Sequence, residues 1–158
     1  VIELKNKFWI FKYSFTSAIV ILLVLTSASC LPGTQSTGIA VESPSDEVLA
    51  SMIRAIEERK ADKFISGVDA TCIPTPDSLW SKLIDFLNAA ELIEFVVAVD
   101  NRSIQGSDRV TYVFSWNRKY DNKTNGTTIN DSGRSEWTFV KRPGEPFTLI
   151  LMSGDQLF

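Results

Sequence analysis

The sequence predicts an α+β domain on three observations. Helix-start signals and apolar stripes of helical period crowd into its first half, two-residue alternation takes over after Glu94, and the alternating segments lie close enough in sequence to pair as hairpins. Strands joined by hairpins form an antiparallel sheet, and helices that precede it can cover one face. The expected architecture is three N-terminal helices packed on a curved antiparallel sheet of four or more strands.

Ser43-Pro44-Ser45-Asp46 starts the first helix. Ser43 can cap free amides, Pro44 fits the first turn, and Asp46 and Glu47 complement the helix dipole. Val48, Leu49, Met52, Ile53 and Ile56 then form one apolar stripe, and Glu57, Glu58, Arg59 and Lys60 form its solvated end. A short second helix over 61–66 presents Phe64 and Ile65 and stops at Gly67. Thr75-Pro76-Asp77-Ser78 repeats the start signal for a third, whose apolar face is Leu79, Trp80, Leu83, Ile84 and Leu87.

Over 109–119, Val110, Tyr112, Phe114 and Trp116 alternate with Thr111, Ser115 and Asn117, the pattern of a half-buried strand. Over 134–141, Ser135, Trp137 and Phe139 alternate with Arg134, Glu136 and Thr138. Segments 94–100 and 147–152 are more uniformly apolar and predict strands partly covered on both faces. The polar stretch 120–132 has Asn125-Gly126 at its centre and reads as an extended hairpin. Burying Phe64, Trp80, Trp137 and the inward row of the long strand stabilises the fold by about 1.5 to 3 kcal/mol per side chain. Neither metal nor disulfide is then needed, and Cys72 reads as a small buried hydrophobe.

Composition removes whole classes of function. With no histidine among 158 residues, His-assisted nucleophiles, imidazole acid-base chemistry and His-ligated zinc are excluded. The first 29 residues hold Lys5, Lys7 and Lys12 against Glu3, so without them the net charge goes from −3 to −5. The remaining basic residues are scattered, which argues against a nucleic-acid partner. A calcium-loop pattern at Asp121 fails because position three is Lys123 and position twelve is Ser132. No cofactor and no metal is expected.

The leading residues read as an address. A basic start, the uncharged apolar run 15–25 and the small residues 26–29 match a secretory signal peptide. The apolar run is about half the roughly 20 residues that a spanning helix needs, although extension to Cys30 leaves an uncleaved anchor open. Leu25-Thr26-Ser27-Ala28-Ser29-Cys30 resembles the lipobox of bacterial lipoproteins, in which the cysteine carries diacylglycerol. That resemblance implies lipidation at Cys30 and anchoring to the bilayer of the cell envelope, at the outer membrane facing the periplasm in a double-membraned cell. The other reading of Cys30 is a disulfide with Cys72. Residues 30–42 then form a Gly/Ser/Thr-rich tether, and 43–158 the folded domain.

Within that domain, Ile56 followed by Asp62 and Phe64, then Val68-Asp69, a helix, Trp137-Thr138-Phe139-Val140-Lys141, and Ser153-Gly154-Asp155-Gln156-Leu157-Phe158 resembles the nuclear transport factor two-like superfamily. The resemblance implies a curved sheet wrapped round a long first helix, a cone with an apolar pocket. The pocket residues expected are Phe64, Trp80, Tyr112, Phe114, Trp116, Trp137 and Phe139. Superfamily enzymes need an ionisable group inside the cone, and the inward face read here offers no carboxylate. The leading expectation is therefore a lipid-anchored extracytoplasmic module that binds an apolar molecule, a second copy or an envelope protein without catalysis. The alternative is a small lyase or isomerase for a hydrophobic substrate, with Asp69 or Asp100 at the pocket rim as base and Tyr112 as hydrogen-bond donor.

Overall fold

The computed structural model describes residues 39–158. In chain order these form α1 (Pro44–Glu57), α2 (Ala61–Ile65), β1 (Val68–Ile73), α3 (Pro76–Ala89), β2 (Ala90–Gln105), β3 (Arg109–Asn122), β4 (Thr128–Lys141) and β5 (Phe147–Gly154). The expected signal segment, Cys30 and most of the expected tether lie outside the described residues. Ser43 and Thr75 are the N-caps of α1 and α3, each accepting from the amide three residues on. Each helix then buries one stripe: Leu49, Met52, Ile53 and Ile56 on α1, and Leu79, Leu83 and Leu87 on α3.

All five strands form one sheet in the order β1-β5-β4-β3-β2. β2 to β5 are antiparallel neighbours, whereas β1 runs parallel to β5, so the sheet is mixed rather than wholly antiparallel. β1 was absent from the sequence expectation because its buried positions are Asp69 and Cys72, and no apolar alternation marks it. Asn125-Gly126 falls in the turn between β3 and β4, where Gly126 at φ +69° donates to the Asn122 carbonyl. Both partner strands extend beyond the expected ends towards this turn. β2 is also longer than expected, and its outward Val96 is 61% exposed, so only one face of that strand is covered.

The core sits between the inner face of the sheet and the helices. Val110, Tyr112, Phe114 and Trp116 of β3 face inward and are flanked by Phe95 and Val97 of β2 and by Trp137 and Phe139 of β4. Trp80 departs from expectation: it is 39% exposed. It lies one residue, about 100° of helical rotation, off the Leu79–Leu83–Leu87 line, and it lines no part of the core.

Candidate functional site

The inner face is closed by interlocking rings. Trp137 stands edge-on to Phe114 at 5.3 Å and to Phe64 at 6.1 Å, and Tyr112 stands edge-on to Phe139 at 5.8 Å. Trp137, Tyr112, Phe64, Phe114 and Phe139 are each under 2% exposed. Edge-to-face contacts of this kind add about 0.5 to 1.5 kcal/mol per pair beyond area burial. The side chains expected to line a hollow fill it. Trp116 satisfies its indole N–H on Ser135 Oγ at 3.0 Å, whereas Trp137 Nε1 is buried without a partner.

One polar cluster reaches this face, and it was missed in the sequence. The Tyr112 hydroxyl donates to Asp46 Oδ1 at 2.6 Å and lies 2.7 Å from Ser45 Oγ. Asp46 also accepts from the Glu42 amide at 3.1 Å, Ser43 Oγ at 2.7 Å and Arg102 Nη1 at 3.1 Å. Burial pushes the Asp46 carboxyl up, but the hydrogen bonds from Tyr112, Ser43 and Glu42 and the charge of Arg102 outweigh it, leaving the group below the ordinary range. Burial and the same hydrogen bond push the Tyr112 phenol up. Asp46 and Tyr112 border an open depression of ≈ 370 Å³ with Ile39, Ala40, Glu42, Val99 and Arg102. In the sequence Asp46 has the position of a dipole-complementing residue in the first turn of a helix. The partner on β3 that turns it inward is 66 residues away.

Neither aspartate expected at the rim joins Tyr112. Asp69 is 5% exposed on β1 and is held by Arg142, by the Thr71 hydroxyl and amide, and by Thr148. Those bonds, Arg142 first, hold its carboxyl far below the usual range, which removes the basicity a proton acceptor needs. Asp100 sits in the bulge of β2 and points to the outer face, accepting from Ser115 Oγ at 2.8 Å and forming an ion pair with Arg134 Nε at 3.2 Å. Cys72 is buried, and desolvation followed by the charge of Asp69 pushes its thiol up to about 11, the opposite of an activated nucleophile. Among the described residues no three His, Cys, Asp or Glu side chains gather to hold a metal ion, and no helix is long and apolar enough to cross a membrane.

No protein-family model matches the chain, and no curated protein matches it by sequence. Solved structures do match in shape. A ketosteroid isomerase-like protein from Erwinia carotovora atroseptica superposes with a TM-score of 0.60 at 8% identity, covering 70% of this chain and 93% of the other. A nuclear transport factor 2-like superfamily protein from Salmonella enterica gives 0.57 at 10% identity, over 69% and 85%. The association domain of CaMKII from C. elegans gives 0.53 at 13% identity, over 70% and 91%. Such identities speak for architecture and not for activity. With the strand order, the helices on one face and the ring-filled interior, they establish that residues 39–158 have the nuclear transport factor two-like fold.

Proposed function

We propose that the chain is a lipid-anchored, extracytoplasmic interaction module that holds apolar groups and catalyses nothing. The observation that carries the non-catalytic part is the saturation of Asp46, the carboxylate that meets Tyr112 at the inner face. Asp46 receives four donor groups, so its lone pairs are spent, and its lowered basicity suits an anchor for the chain around Ser43 better than a proton acceptor. Apart from Ser45 and Ser135, the rest of that face is aromatic or aliphatic. The anchor rests on the sequence, where the apolar run 15–25 leads to Cys30 and a tether that would set the domain off from the bilayer. One matching structure is the association domain of a CaMKII, which is in keeping with a partner that is a protein.

The experiment is metabolic labelling of the full chain with a fatty-acid probe in a bacterial host. The chain is expected to take label and partition with membranes, and Cys30→Ser to lose both; label retained in that variant overturns the anchor. A second reading, an isomerase or lyase, is favoured by one contact, the 2.6 Å bond between Tyr112 and a carboxylate at an open depression. A phenol that polarises a carbonyl beside a carboxylate would exchange the α-proton of an apolar ketone in D2O. No exchange above the buffer rate is expected, and exchange abolished by Asp46→Asn would establish the enzyme.

A further inference from the structure

We propose that Leu157 and Phe158 are an internal occupant of the cone, and that when this pair swings out its place accepts an apolar molecule carrying one hydrogen-bond acceptor. The inference rests on the reading above only in treating the cone as a holder of apolar groups.

The segment after β5 belongs to no helix or strand. Gly154, at φ +87°, turns it back over β4, and a Cβ there would lie 2.5 Å from the Arg134 carbonyl oxygen. Gly133 leaves room for the crossing, since a Cβ on it would lie 2.5 Å from Trp116 and 2.7 Å from the Asp155 side chain. The polar ties concentrate at Asp155. Its amide donates to Arg134 O at 2.8 Å, its carboxylate accepts from the Arg134 amide at 2.8 Å, and its carbonyl accepts from Ser135 Oγ at 2.6 Å. Beyond that hinge the ties are an exposed contact of Lys82 with Gln156 at 3.3 Å and the Arg118 guanidinium on the Leu157 carbonyl. A segment whose polar ties gather at one residue, with few backbone partners beyond it, is of the kind that opens locally while the rest of a domain stays folded.

What it inserts is side chain. Leu157 is 1% exposed, and the Phe158 ring stands edge-on to Phe64 at 5.4 Å. Beside the pair lies an open recess of ≈ 70 Å³ bordered by Leu79, Lys82, Met152, Gln156, Leu157 and Phe158. Phe64 touches both Phe158 and Trp137, and the Trp137 indole N–H is the one buried side-chain polar atom without a partner among the described residues. A buried donor of this kind favours a guest that brings an acceptor. Flat apolar surface would replace the Leu157 and Phe158 contacts, and one carbonyl or ether oxygen would meet Trp137 once Phe64 moves aside.

The test uses the full chain with Cys30→Ser, secreted so that no acyl chain competes, and 2-acetylnaphthalene as probe, with 2-ethylnaphthalene as the analogue that lacks an acceptor. The double variant Leu157→Ser/Phe158→Ser is expected to bind one 2-acetylnaphthalene per chain at least tenfold tighter than the parent, to prefer it over 2-ethylnaphthalene, and to shift the Trp137 indole N–H resonance on binding. Leu157→Met/Phe158→Leu, which refills the space, is expected to behave as the parent. Should the double variant lose its native tryptophan spectrum, Phe158→Ala serves in its place. A folded variant that binds no better than the parent, or binds without moving the Trp137 resonance, overturns the proposal. That outcome leaves the interaction-module reading standing, because ketone exchange and fatty-acid labelling test that reading separately.

Discussion

Trp116 and Trp137 face the same interior from neighbouring strands, yet their indole nitrogens have different fates. Trp116 donates to Ser135 Oγ, which itself donates to the Asp155 carbonyl, whereas Trp137 donates to nothing. A buried donor left unpaired costs about 1 to 3 kcal/mol, while a made hydrogen bond contributes about 1 kcal/mol. The same substitution at the two sites therefore separates packing from hydrogen bonding. Both Trp→Phe variants lose ring volume, but only Trp137→Phe also removes an unsatisfied group. Urea unfolding is expected to rank Trp137→Phe as the milder variant by about 1 kcal/mol or more, and equal losses would show that the Trp137 N–H is satisfied in solution. Alternation in the sequence placed both rings inside, since period two decides the face. It could not say which nitrogen has a partner, because Ser135 and Trp116 meet only through the β3–β4 register, in which Phe114 opposes Ser135 and Trp116 opposes Gly133. Asp46 escaped for the same reason: its local role as a first-turn acid is complete in the sequence, and its second role needs Tyr112 and Arg102.

Among elements, α1 and α3 were legible from an apolar stripe behind a start signal, β3 and β4 from two-residue alternation, and β2 and β5 from short apolar runs. β1 was not, since a buried Asp69 and Cys72 with exposed Ala70 and Thr71 between them carry no apolar rhythm. Nor was the lock that joins α1 to the edge strand. Arg59, at φ +60° just past α1, donates to the Leu87 and Ala90 carbonyls at the end of α3, and Glu57 accepts from the Phe95 amide on the open edge of β2 at 3.0 Å. The charge run 57–60 reads as a solvated end, but two of its members bond backbone groups of α3 and β2. Capping an edge amide with a side chain blunts the strand as a template for another chain. Burial pushes the Glu57 carboxyl up, with the Glu58 and Glu94 charges adding to it, so the ionised form works against folding at neutral pH and that opposition fades as pH falls through the folded pKa. Glu57→Gln keeps the acceptor and removes the charge. It is expected to leave the domain as stable or more stable at pH 7, within about 1 kcal/mol, with the difference gone by about pH 4. A clear loss at pH 7 would mean that the charge itself holds the edge.

At the scale of the whole molecule, two buried aspartates tie distant parts of the chain together and set its response to acid. Asp46 joins α1 to Arg102 on β2 and Tyr112 on β3, and Asp69 joins β1 to Arg142 after β4 and Thr148 on β5. Both carboxyls are held below their ordinary values. For an acid whose folded pKa is depressed, the stabilisation is fully present above the unfolded pKa, about 3.9 for aspartate, and is lost as pH falls towards the folded value. The Arg142 side chain is 47% exposed, so water screens it and the pair is worth less than a fully buried one. Asp69→Asn is expected to cost about 1 to 3 kcal/mol at pH 7, since the amide keeps one acceptor for Thr71 but gives up the charge facing Arg142. The deficit is expected to narrow steadily below about pH 4, as the unfolded parent chain takes up a proton at Asp69 that the folded chain still refuses. Chemical denaturation of both proteins at pH 7, 4 and 3 measures this directly. A deficit unchanged at pH 3 would assign the loss to packing around β1, and the ionised Asp69–Arg142 pair would then not be what holds the parallel strand to the sheet.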